Sequence, residues 1–264
     1  MLVPIRTQGE GAPLIFLHGY FGVFFGGEEL IPSARSDRPL YAINAPGFDG
    51  SRPPLRTVTE LADEYIAETL SVVPDGKFIL GGYCQGAFIA MEMARLLLSR
   101  GRAVMPPILI DPGHEPCVPF ARRQARTGRM DDARVMTQRY DQAQGMVRDA
   151  ARMMPIRLFD PSDPNQTGVA ARCAMTYSLM FDEHVPLPFA GPTMLILSSE
   201  RAHGFFSLSH AWQAVLPGPR PIVHVFSGSH MKIMLQCKEQ RGRYIEAHCG
   251  AIAGPREAVS PGAA

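Results

Sequence analysis

Lysine is almost missing from this chain: of 26 basic residues only Lys77, Lys232 and Lys238 are lysines, the rest being arginine. Set against 25 acids, they leave a formal charge of +1, which gives no reason to expect nucleic acid as a partner. The five cysteines (Cys84, Cys117, Cys173, Cys237, Cys249) include no CxxC pair. That argues against both a disulfide framework and a structural zinc site, and the odd number leaves at least one thiol free. Met1 to Gly11 lack the apolar core of a signal peptide, and no later stretch approaches the roughly 20 apolar residues of a membrane span. No membrane partner is therefore expected, and the default location is a reducing cytoplasm. Internal repeats are also absent. What remains is a 264-residue chain, 46% hydrophobic and 19% charged, outside the disordered range and long enough for one large α/β domain or two small ones.

Short apolar runs bounded by turn residues recur at Leu14–Leu17, Leu40–Ile43, Phe78–Leu80, Ile108–Ile110, Met194–Leu197 and Ile222–Phe226. Such runs predict buried strands of a mainly parallel sheet. Helical patterns lie between them. Thr57 and Glu60 make a capping box for a run through Leu61, Tyr65, Ile66 and Leu70 that ends at Pro74 and Gly76, and a second helix is expected from about Cys84 to Ser99. Tyr244 to Ala247 belong to a last helix. The alternation predicts a doubly wound α/β sheet with helices on both faces, whose ligands collect at the carboxyl ends of the strands.

The rhythm breaks between Asp111 and Gly191. Ala121 to Met154 has helical composition, with eight arginines (122, 123, 126, 129, 134, 139, 148, 152) against four acids, and a further helix is expected at about Gly168 to Phe181. A helical insertion of this kind predicts a lid, at about 115–190, on a single domain spanning 1–264. The tail after Gly250 is expected to fray.

The most specific local signal is Gly81-Gly82-Tyr83-Cys84-Gln85-Gly86-Ala87, where a strand end is followed by a tight turn and a helix. It has the form of a nucleophile elbow with cysteine where serine is usual. The turn holds the nucleophile in a strained conformation, and side chains at 82 and 86 would strike the neighbouring strand and helix unless both are glycine. The helix also turns its N-terminal amides toward the thiol, favouring thiolate and later an oxyanion.

Eight histidines compete to serve as base. His230 follows the last predicted strand and a Ser227-Gly228-Ser229 turn, the place from which a late histidine reaches back over an elbow. His224 falls inside that strand, and His203, His210 and His248 read as surface residues. His18 is expected to set the loop that supplies an oxyanion donor. Two acids stand at strand ends: Asp111 after Ile108–Ile110 and Glu200 after Met194–Ser199. The usual hydrolase order favours the later one, Glu200, and either could instead cap a nearby helix.

Together these segments resemble the thioesterase domains of nonribosomal peptide and polyketide synthases, within the α/β-hydrolase fold. The resemblance rests on Arg38 to Gly47 with its Ala45-Pro46-Gly47 turn, the Gly81 to Cys84 elbow and the Glu92-Met93-Ala94-Arg95 run. Ile108 to Asp111 and Gly228 to Met231 complete it, in the family's order. It implies a catalytic triad of Cys84, His230 and Asp111, with Glu200 as the alternative acid, and oxyanion donors at the backbone amides of Tyr20 and Gln85. It further implies no bound cofactor or metal, a substrate presented on phosphopantetheine, and an acyl or peptidyl carrier protein as partner. Because the domain stands alone and begins with its own methionine, a departure from the family, that partner is expected to be met in trans. The sequence departs from the family in its cysteine and in an oxyanion loop that reads His18-Gly19-Tyr20-Phe21-Gly22. A cysteine would keep the acyl group as a thioester, so release by hydrolysis, by cyclisation or by transfer to an acceptor is open. The rival expectation is a hydrolase of small lactones resembling dienelactone hydrolase, which also uses a GxCxG elbow.

Overall fold

A computed structural model describes residues 1–24, 38–74, 77–112, 133–153, 158–207, 209–236 and 238–253. The expectations placed on Arg122 to Met130, on Met154, on Cys117 and Cys237 and on the tail beyond 253 lie outside those residues. Seven strands form one sheet: β1 (Leu2–Arg6), β2 (Leu14–Leu17), β3 (Leu40–Ile43), β4 (Ile79–Tyr83), β5 (Ile108–Ile110), β6 (Met194–Ser198) and β7 (Ile222–Phe226), in the order β1-β3-β2-β4-β5-β6-β7. All neighbours pair in parallel except β1 with β3. The apolar runs thus became strands, with the Phe78–Leu80 run shifted forward into the elbow. The sequence pattern did not foretell β1. It is an edge strand carrying Pro4, whose missing N–H is tolerated there, and its register with β3 shifts between Pro4 and Arg6.

Side chains alternate across the sheet and build two apolar layers. Ile15, Leu17, Ile43, Leu80, Leu109 and Leu195 face one layer with α1 (Val58–Val72) and α2 (Gly86–Ser99). Leu14, Phe16, Ile79, Ile108, Ile110 and Ile196 face the other, closed by Ile233 of α7 (His230–Leu235) and by Ile245 and Cys249 of α8 (Lys238–Ala253). No helix among the described residues is long and apolar enough to cross a membrane.

Local chemistry sets the helix boundaries. The capping box at α1 is present, Glu60 N–H donating to Thr57 Oγ1 at 3.1 Å and Thr57 N–H to Glu60 Oε2 at 3.2 Å. Helix α2 begins at Gly86 rather than Cys84, because Cys84 has a φ of 57° and cannot be helical. At its far end Arg102 N–H returns to Leu97 O and Gly101 N–H to Leu98 O. With Gly101 at φ 70°, this is a Schellman stop. Between β5 and β6 lie α3 (Ala133–Met153) and α4 (Pro164–Glu183). The second starts earlier than expected because Asp163 accepts from Asn165 N–H and Pro164 takes the first helical position. Two short helices, α5 (Ser199–Ser207) and α6 (Ser209–Val215), follow β6.

The inserted helix α4 is fastened to the sheet. Tyr177 Oη donates to Pro46 O at 2.8 Å and accepts from Leu55 N–H at 3.2 Å. Cys173 Sγ lies 3.4 Å from the same Pro46 carbonyl. That carbonyl belongs to the Ala45-Pro46-Gly47 turn, where Gly47 has a φ of 93° and a Cβ would lie 2.9 Å from Arg52 O.

The Glu-Met-Ala-Arg run has a structural role. Buried Glu92 accepts from Thr59 Oγ1 at 2.7 Å and from two Arg95 nitrogens at 2.8 Å each, tying α2 to the first turn of α1. Burial alone would raise its pKa, but Arg95 and Thr59 outweigh it and hold the carboxyl below 4.5. A depressed folded pKa contributes stability that is present above the unfolded value and lost as pH falls through the folded one. Glu92→Gln should therefore lower the unfolding free energy by about 1–3 kcal/mol at pH 7, with the deficit shrinking in denaturant melts below pH 4.5.

Candidate active site

The ends of β4, β5 and β6 step past one another and carry the site. Cys84 N–H still donates to Ile110 O of β5 at 2.9 Å, and Asp111 N–H to Ile196 O of β6 at 2.7 Å. Each residue then turns into the left-handed region, Cys84 at φ 57° and Asp111 at φ 47°, the only described non-glycine residues to do so. Such conformations disfavour side chains and persist where the surroundings impose them. At the elbow the surroundings are backbone. A Cβ on Gly82 would sit 2.1 Å from Gly86 O, and one on Gly86 2.5 Å from His18 O. The second contact also presses the loop after β2 against the start of α2.

His230 is the first residue of α7, after β7 and a turn in which Gly228 has a φ of 125°. Its Nδ1 donates to Asp111 Oδ2 at 2.6 Å, and its ring interacts with the Cys84 thiol. The imidazole stacks on Tyr83 with centroids 4.4 Å apart and planes 14° apart, while Tyr83 Oη donates to His230 O at 3.0 Å. Asp111 is wholly buried. Its carboxylate also accepts from Ser198 N–H at 2.6 Å and Ser198 Oγ at 3.0 Å, so its orientation is set from β6.

Glu200 stands elsewhere. Its Oε2 accepts from the backbone N–H of His230 at 2.9 Å, capping α7 by the exposed first turn and leaving the imidazole to Asp111. The two acids expected as rivals thus both reach His230, one through the ring and the other through the main chain.

Charge and hydrogen bonding separate Cys84 from the other described thiols. Burial opposes its ionisation, but the hydrogen bond and charge of His230, the charge of Arg201 and the Gln85 N–H outweigh it and lower the pKa below 9.0. For His230, burial opposes the charged ring, yet the hydrogen bonds to Asp111 and Cys84 prevail and raise its pKa above 6.5. Both directions favour a thiolate–imidazolium pair. Burial pushes Cys173 and Cys249 up to about 12.

His18 is neutral and structural. Burial pushes its pKa down to about 4. Nδ1–H donates to Gly19 O at 2.9 Å, and Nε2 accepts from Tyr65 Oη at 2.7 Å. The loop it steadies continues through Tyr20, and Gly22 N–H closes back on Gly19 O at 3.1 Å. Of the remaining histidines, His224 stacks on Tyr244 with centroids 3.8 Å apart, and His248 lies against Pro106 O at 3.2 Å. Neither approaches Cys84.

Two contributors escaped the sequence reading. Ser198 sits at a strand end like many serines, and only the β5–β6 pairing brings it to Asp111. Arg201, on α5, donates from Nη1 to Asp111 O at 2.6 Å and holds Nε 3.8 Å from Asp111 Oδ2. One arginine among many carries no local signal.

Iodoacetamide should modify Cys84 faster than Cys173 or Cys249 at pH 7, with a midpoint of the rate–pH profile below 9.0. His230→Ala removes the imidazolium that stabilises the thiolate. The midpoint should then rise and the rate at pH 7 fall by about tenfold or more, as read by peptide mass mapping.

The chain matches the thioesterase domain family over residues 28–247. It is 38% identical over 112 residues to the polyketide synthase PksR of Bacillus subtilis (strain 168), a match covering 42% of this chain and 4% of that protein. The fold is shared with the crystal structure of holo-AB3403, a four-domain nonribosomal peptide synthetase bound to AMP and glycine. There the TM-score is 0.71 at 24% identity, covering 93% of this chain and 20% of the other. It is shared equally with YbtT, a type II thioesterase from the yersiniabactin pathway, at TM-score 0.62 and 19% identity over 96% and 99% of the two chains. The curated relatives, PksR among them, are far longer than the region they share with this chain. With a mostly parallel seven-stranded sheet of the α/β-hydrolase kind and a family match over most of its length, the chain belongs to the thioesterase domain family.

Proposed function

We propose that Cys84, His230 and Asp111 are the nucleophile, base and orienting acid of a thioesterase that takes acyl or peptidyl chains from the phosphopantetheine of a carrier protein. The observation that carries this reading is the convergence of three side chains: the His230 ring donates to the Asp111 carboxylate, itself held by Ser198, and acts on the Cys84 thiol to lower its pKa.

The Cys84 thiolate attacks the thioester carbonyl, and the backbone amides of Tyr20 and Gln85 donate hydrogen bonds to the tetrahedral oxyanion, typically worth about 3 to 4 kcal/mol per donor. As the carbonyl re-forms, the bond to the pantetheine sulfur breaks and His230 hands its proton to that leaving thiolate. One thioester has replaced another, so the acyl group keeps its activation. His230 then takes a proton from water, or from a hydroxyl or amine of an acceptor, as that group attacks. Collapse frees the acid, ring or transferred product and restores the Cys84–His230 pair. Asp111 holds the imidazole in the required tautomer throughout.

In this reading residues 115–190 form a lid on a single domain, excluding water when transfer or cyclisation is to win over hydrolysis. A carrier protein acting in trans is the partner, and the reducing cytoplasm keeps the thiol free. The family likeness to synthase-borne thioesterases supports the carrier-bound substrate.

The acid is tested by pantetheine release from an acyl-pantetheine thioester. Asp111→Asn should lower kcat by about a hundredfold or more, since the imidazole loses its orienting charge. Glu200→Gln, which keeps an oxygen acceptor for His230 N–H, should stay within about tenfold of the parent. The opposite ranking would move the acid to Glu200.

A further inference from the structure

The loop bearing one oxyanion donor is held by the inserted helices. Tyr20 Oη donates to Asp182 Oδ1 of α4 at 2.8 Å. Arg139 of α3 reaches both, with Nη1 3.2 Å from Tyr20 Oη and 2.5 Å from Asp182 Oδ2. The pair is largely shielded, the Arg139 and Asp182 side chains being 14% and 24% exposed, so these charge-assisted bonds are only partly screened by solvent. Packing follows the same path. The Tyr20 ring stacks on Phe181 with centroids 6.3 Å apart, and Phe181 lies edge-on to His18 at 6.1 Å. One turn earlier on α4, Tyr177 is anchored to the Ala45-Pro46-Gly47 turn. The loop itself has little freedom, since His18 O sits against Gly86 at the start of α2.

We propose that Tyr20, Asp182 and Arg139 form a clasp that positions the Tyr20 backbone amide, so that the seating of α3 and α4 and the assembly of the oxyanion site are one event. The clasp rests on the functional reading above, in which that amide is an oxyanion donor. Its three members are positioning residues: none touches the reacting atoms through its side chain. A substrate that displaces the helices would loosen the donor, and one that lets them seat would restore it. The inserted helices would thereby select among acyl chains by rate of acylation as well as by fit.

The clasp makes a demand that a merely stabilising contact does not. Acylation builds an oxyanion, whereas alkylation of the same sulfur by iodoacetamide builds none. Tyr20→Phe keeps the ring packing, and Asp182→Asn keeps the shape of the carboxylate. Each should slow acylation of Cys84 by octanoyl-pantetheine about ten- to a hundredfold while alkylation stays within about twofold, and the double variant should be no slower than the slower single. Arg139→Lys should recover part of the rate lost in Arg139→Ala. Acylation at the parental rate in both single variants would overturn the clasp, as would an equal loss in alkylation, which would locate the defect in the thiol–imidazole pair. Failure of the parent protein itself to be acylated would overturn the functional reading, and the clasp with it.

Discussion

The site depends on a contact that leaves no room for a side chain: backbone against backbone on either side of Cys84. Gly82 faces Gly86, and Gly86 faces the carbonyl of His18. With Cβ atoms excluded at both positions, β4 can meet α2 through only two residues, Cys84 and Gln85. The first of them is driven to a positive φ, with its sulfur beside the helix N-terminus. The same closeness brings the loop after β2 to the elbow, where the proposed chemistry takes its second oxyanion donor. A methyl group at either glycine would force apart the strand, helix and loop whose convergence makes the site.

Electrostatics then acts on what the turn has placed. Burial alone would keep Cys84 protonated and His230 neutral, yet both shifts run the other way. For His230 the reason is first a buried carboxylate, Asp111 at the end of β5, held by Ser198 of β6; for Cys84 it is first the imidazole which that carboxylate orients. Arg201 balances the arrangement, favouring the thiolate while opposing the imidazolium. At the other two described thiols burial prevails and pushes the pKa up to about 12. In the proposed chemistry this matters because a thiolate already present needs only a carbonyl in reach, and the thioester it forms still carries the energy to acylate a demanding acceptor.

Much of the architecture was legible in the sequence because parallel strands buried on both faces must be continuous apolar runs, and Leu14–Leu17, Leu40–Ile43, Ile108–Ile110 and Met194–Leu197 are such runs. Ile222–Phe226 also became a strand, but at the sheet edge with Ile222 and Val225 exposed. The elbow was legible because its steric demand restricts residue type, and His230 because the chain must return over the elbow after its last strand. Which carboxylate meets the imidazole was not legible in the local pattern, and only the family resemblance favoured Asp111. Asp111 and Glu200 both end strands, and what distinguishes them is a backbone turn at 111 together with a serine supplied by the neighbouring strand. Contacts spanning long stretches of chain were equally silent: Tyr20 meets Asp182 across 162 positions, and nothing in either local pattern announces the other. The edge strand β1, short and bearing Pro4, lacks the apolar continuity that reveals the inner strands.

The central claim is that Cys84 carries the acyl group between donor and product. Intact-protein and peptide mass spectrometry after brief incubation with an acyl-pantetheine thioester tests it directly. The account predicts an adduct of one acyl mass on the peptide containing Cys84, discharged on further incubation as free acid, ring or transferred product. Turnover with no acyl group ever found on that peptide, or an adduct mapped to another residue, would contradict it.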